Sequence, residues 1–161
     1  MNIVIKIIKI LKKANVISFI FSGLFFMIII PMIFSFIIPE DSYMNPVIES
    51  MKEDGLSILF LFGVVLAPFF ETLIFQFLPY VFANAFLKRK IKFYFYIVSA
   101  SLFFGVMHFY NLYYFLVGTS VGVVLSFYFY VSKLRGASGV ILVYIIHAIN
   151  NLLALLISIK W

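Results

Sequence analysis

Residues 56–86 read LSILFLFGVVLAPFFETLIFQFLPYVFANAF. This stretch is apolar nearly throughout, with one acid, Glu71, and one buried-type amide, Gln76, in its middle. A helix crosses a bilayer in about 20 apolar residues, so this stretch spans with length to spare for tilt. An open strand of this composition could not cross, because its backbone polar groups would lack partners in lipid. The fold is therefore built from transmembrane helices.

The rest of the chain agrees. Of 161 residues, 65% are hydrophobic and 11% charged, and the mean hydropathy is +1.18. A soluble domain is about 45–50% apolar and about 25% charged. The 22 Phe, 10 Tyr and one Trp exclude a disordered chain, and the length suits one membrane domain, 1–161. The absence of cysteine removes disulfides, thiol nucleophiles and cysteine-based metal sites.

Five spans are predicted: Val16–Ile38, containing Pro31, then Leu56–Phe86, Phe93–Phe109, Leu112–Val131 and Gly139–Ile159. Ahead of the first, IVIKIIKILKK sets Lys6, Lys9 and Lys13 near one face. It reads as an interfacial helix on anionic lipid or as the plain basic flank of a span. Five spans place Lys6, Lys9, Lys12, Lys13, Lys88, Arg89, Lys90, Lys92, Lys133 and Arg135 on one side, and Lys52 and Lys160 on the other. The positive-inside rule then puts the N-terminus in the cytoplasm. Glu40, Asp41, Glu49, Glu53 and Asp54 fall in one external loop, Pro39 to Gly55. Topology accounts for the +6 net charge, leaving no independent case for nucleic acid as a partner.

Glu71 is the only acid inside a span, and both histidines, His108 and His147, lie in or at the end of spans. An ionisable group at the bilayer centre costs something like 2.5 to 3.5 kcal/mol on insertion scales and is tolerated where it has a partner, a cavity or a task. At 1.5 Å per residue, Glu71 lies roughly 24 Å along its helix from the cytoplasmic end and His108 roughly 23 Å along the next; His147 and Asn151 lie roughly 12 to 18 Å along theirs. The four can share one pocket. His147 and Asn151 are four apart and project from one face, as do Phe104 and His108, and Thr72 and Gln76.

APFFETLIFQ, then FGVMH, then HAINN, with one further helix before the last, resembles the CPBP or Abi family of CAAX-type intramembrane proteases over roughly residues 61–156. The first span and N-terminal tail, 1–38, lie outside the resemblance. The family pattern is EExxxR, FxxxH and HxxxN or HxxxD. Thr72 stands where the pattern has a second glutamate and Gln76 where it has arginine. A hydroxyl and an amide are expected to replace that ion pair with a neutral hydrogen bond.

The resemblance implies that Glu71 and His108 activate a water while His147 and Asn151 stabilise an oxyanion, with Thr72, Gln76 and Phe104 in support. No cofactor is expected. The alternative is zinc held by Glu71, His108 and His147, but this would leave no second intramembrane acid to act as base. The expected substrate is a hydrophobic peptide or membrane protein, cleaved beside the lipid bilayer. Two further readings remain: a non-enzymatic protein on the same scaffold, such as a bacteriocin self-immunity or interaction factor, and a proton-coupled carrier. The abundance of Ile, Phe, Lys and Asn, together with the resemblance, points to a bacterial cell membrane. Gly118 and Gly122, and Ser101 and Gly105, are small-residue steps suited to close helix packing.

Overall fold

The computed structural model describes residues 3–38, 50 and 55–159. The acidic loop expected at Pro39 to Gly55 falls, Ser50 and Gly55 apart, outside the described residues, as does Lys160. Six helices follow in order: α1 Ile3–Lys13, α2 Val16–Ser35, α3 Leu56–Phe86, α4 Arg89–Met107, α5 Leu112–Leu134 and α6 Gly139–Ile159. No strand occurs among the described residues, and the chain is an all-α membrane bundle.

Four helices, α2, α3, α5 and α6, are long and apolar enough to cross a bilayer. The apolar part of α4, Ile91–Met107, is shorter, about 26 Å at 1.5 Å per residue, at the lower end of the lengths that cross a bilayer. The first span also ends at Ser35, before Ile38. The N-terminal segment is a separate helix. Asn15 breaks it from α2 by capping the latter, its Oδ1 accepting from the Ser18 N–H at 2.8 Å, which satisfies a donor that the first turn leaves open. Leu11 is buried, and its carbonyl accepts from the Arg135 guanidinium, which also lies 4.7 Å from the Phe19 ring centre.

The long helix α3 is not wound uniformly. Residues Phe60–Leu66 and Thr72–Phe77 are π-helical, separated by the α-wound stretch Ala67–Glu71. Each wide stretch runs up to a proline, Pro68 or Pro79. A proline ring collides with the carbonyl four residues back, and a wider turn relieves the collision. The Ala67 N–H accordingly reaches back five residues to Phe62 O, and the Leu78 N–H to Leu73 O.

The core is built on α5, which packs against α2, α4 and α6. Phe19 and Tyr128 meet edge to face at 4.9 Å, and the Tyr128 hydroxyl donates to Ser22 Oγ at 2.8 Å. The small-residue steps bring α4 and α5 together as expected. A Cβ on Gly122 would stand 2.9 Å from Ser101 Cα, and one on Gly105 would stand 2.0 Å from Thr119 Oγ1. Two buried serine hydroxyls are satisfied within their own helix: Ser126 donates to Gly122 O and Ser132 to Tyr128 O. Such internal bonds are what a dry interior requires. Phe21, Phe70, Phe86 and Ile157 face outward.

Candidate active site

Glu71 ends the α-wound stretch between the two wide turns of α3. His108 stands where α4 gives out, at φ −102° and ψ 20°, the bridge region of backbone space. Its Nδ1 donates to Phe104 O at 2.7 Å. A carbonyl only accepts, so Nδ1 carries a proton, and in the neutral ring the lone pair is then at Nε2. That Nε2 lies 3.8 Å from Glu71 Oε1. From α6, His147 places its Nε2 3.5 Å from Glu71 Oε2. The carboxylate therefore stands between two imidazoles. Both separations exceed a direct hydrogen bond, Glu71 Oε2 having no such partner, and the longer suits a bridging water.

These groups line a cavity of about 360 Å³ to which α2 through α6 all contribute. Asn151 is in its wall, its Nδ2 donating to Gly63 O at 2.9 Å. Phe104 packs as the sequence suggests, its ring stacked on His108 at 4.3 Å between centres. Gly118 is required on the opposite side, because a Cβ there would stand 3.2 Å from His108 Cβ. Glu71, His108, His147 and Asn151, dispersed over three helices, thus meet in one place.

The expected hydrogen bond between Thr72 and Gln76 does not form. Thr72 Oγ1 donates to Pro68 O at 2.7 Å, and neither polar atom of the fully buried Gln76 has a hydrogen-bond partner. Both residues lie in the π stretch, where residues four apart no longer stack as they do at 3.6 per turn.

Three polar residues of the cavity wall carry no functional signal in the sequence: Asn150, beside Asn151, and Tyr110 and Tyr114, which lie on and just after the α4–α5 turn with their rings edge to face at 5.6 Å. Tyr110 has only its place two residues after His108 to mark it. Burial pushes the Tyr110 phenol above its ordinary pKa, and the Glu71 carboxylate adds to the shift.

Among the described residues, no three His, Cys, Asp or Glu side chains form a group that could hold a metal ion. His147 Nδ1 is also buried without a partner, whereas a ligating histidine almost always anchors its second nitrogen.

The family pattern of the type II CAAX prenyl endopeptidase Rce1-like proteins matches residues 53–153. The chain belongs to that family. No curated protein and no solved structure matches it. The Rce1-like match takes in α3 through most of α6, and with them Glu71, His108, His147 and Asn151. The protein is therefore a multi-pass membrane protein of the CAAX-type intramembrane endopeptidase family.

Proposed function

We propose that the protein hydrolyses a peptide bond in a hydrophobic, membrane-associated peptide or protein, without a metal. The observation that carries this reading is the Glu71 carboxylate set between two imidazole nitrogens at 3.8 and 3.5 Å in a shared cavity. Glu71 and the Nε2 lone pair of His108 hold a water between them. As the water oxygen bonds to the scissile carbonyl carbon, its proton passes to this pair. The carbonyl oxygen takes on negative charge and accepts from His147 Nε2–H and from Asn151 Nδ2–H, donors already held in place. Collapse of the tetrahedral adduct breaks the C–N bond, and the proton held by the pair moves to the departing amine.

The Nδ1 bond to Phe104 O fixes the His108 tautomer that this division of labour needs. In the membrane, the N-terminus lies in the cytoplasm and α1 rests on that leaflet, with Lys6, Lys9 and Lys13 toward anionic headgroups. The whole chain forms one membrane domain. Glu71→Gln keeps the shape of the side chain and removes the base. Turnover of a quenched-fluorescent prenylated CAAX peptide is expected to fall by roughly 10²–10⁴-fold with helical content unchanged, and undiminished cleavage rejects the mechanism.

A second reading, a non-enzymatic protein on the same scaffold, is favoured by one observation. The amide of Gln76 is buried without a partner where the protease pattern has arginine. Under that reading the cellular phenotype survives simultaneous loss of Glu71, His108 and His147.

A further inference from the structure

In a helix, each carbonyl is met by the N–H four residues on, or five residues on in a wider turn. For Gly63 those donors belong to residues 67 and 68. The Ala67 N–H is given to Phe62 O, and residue 68 is proline, which has no N–H. The Gly63 carbonyl thus lacks both in-helix donors. It is met instead from another helix, by Asn151 Nδ2 at 2.9 Å across 88 residues of sequence.

Two consequences follow from that bond. It ties α6 to the wide turn of α3 one turn beyond His147, and so sets the register at which His147 reaches Glu71. It also decides which way the Asn151 amide faces. A carbonyl accepts from the nitrogen and repels the amide oxygen, so Nδ2 is held inward with its second hydrogen still available.

We infer that Pro68 is a positioning residue for Asn151: by withholding an N–H, it reserves the Gly63 carbonyl as the anchor that orients the amide in the cavity. Pro68 itself is fully buried and is not among the residues that line the cavity. The purpose of the orientation rests on the proposed oxyanion role of Asn151. The anchor does not, so the two are tested apart.

Pro68→Ala returns an N–H to residue 68 and gives the Gly63 carbonyl a donor within its own helix. In nanodisc-embedded protein labelled with ¹⁵N-asparagine, the Asn151 side-chain proton bound to Gly63 is expected downfield in the parent and shifted upfield in Pro68→Ala. Asn151→Ala is expected to lower Tm by roughly 2–10 °C in the parent, and by less than half as much in the Pro68→Ala background. If Pro68→Ala does not fold, Asn151→Ala alone decides: the Gly63 carbonyl signal of [1-¹³C]glycine-labelled protein moves upfield when its donor is removed. Equal Tm losses in both backgrounds overturn the inference, as does an Asn151 signal indifferent to residue 68 or a Gly63 signal indifferent to Asn151. Should Glu71→Gln still cleave, the protease reading fails while these measurements keep their meaning.

Discussion

Replacing Gly105 by alanine tests whether the approach of α4 to α5 sets the stability of the bundle. The added Cβ would stand 2.0 Å from Thr119 Oγ1, 2.9 Å from Thr119 N and 3.0 Å from Thr119 Cα. Rotation of the threonine can relieve the first contact. The other two are backbone, and bringing the nitrogen from 2.9 to an ordinary 3.4 Å parts the helices by about half an ångström at that level. Overpacking of this kind costs typically 1–3 kcal/mol, set against about 1 kcal/mol that alanine gains over glycine in a helix. Two backbone contacts place the clash toward the upper end of that range, leaving a net loss of about 1–2 kcal/mol, or roughly 2–8 °C in Tm for a chain of this size. Gly63→Ala is the control. Its Cβ meets only Leu59 Cδ1, at 3.7 Å, so the helix gain appears undiluted and Tm rises by roughly 2–4 °C. With no cysteine for a thiol-reactive dye, helical circular dichroism at 222 nm during heating is the suitable readout. A Gly105→Ala protein as stable as Gly63→Ala would refute the claim that glycine is needed at this crossing.

Two further outcomes are expected. If cleavage uses the side chains alone, prolonged treatment with EDTA or phenanthroline leaves the rate of prenylated-peptide hydrolysis unchanged, and a loss restored by added zinc would reject the metal-free route. The Tyr110 phenol has its folded pKa raised above the ordinary 10.0 by burial and by Glu71. The stability it contributes is therefore complete below the unfolded value and lost as pH rises through the folded one. The difference in absorbance at 295 nm between the parent and Tyr110→Phe should titrate above pH 10, and in a Glu71→Gln background the midpoint should move down; a midpoint at or below 10 contradicts the placement of the two groups.

Much of the bundle was legible because lipid imposes a simple rule. Long apolar runs had to be helices, and Gly105, Gly118 and Gly122 had to be places where helices touch. The gathering of Glu71, His108, His147 and Asn151 was legible too, since comparable depths along neighbouring, tilted rods leave room for the four to meet. The interruptions to regular winding were hidden. Pro68 and Pro79 announce a disturbance, but a kink, a break and a wide turn are equally open from sequence, and only the surrounding helices select among them. The Thr72 and Gln76 expectation failed for that reason, being built on 3.6 residues per turn in a segment that does not keep it. The Asn151 bond to Gly63 was unreadable because it depends on which carbonyl the wide turn leaves unmet. The end of α4 lies two residues before the expected Phe109, enough to turn His108 from a helical position into a terminal one.

The wide turn over Phe60–Leu66 decides where along α3 the aim of Glu71 depends on a residue count. One residue of an ordinary coil corresponds to about 100° of rotation about its axis. The wide turn spends less rotation on each residue, so removing a single amino acid between Phe60 and Leu66 while the segment rewinds tightly leaves the later side chains close to their present bearing. Removing one from the tightly wound Ala67–Glu71 instead dials the carboxylate away from both imidazoles. Deletions ahead of Glu71 in that stretch should silence the protein, while a deletion within Phe60–Leu66 and insertions in the polar connections outside the bilayer are absorbed.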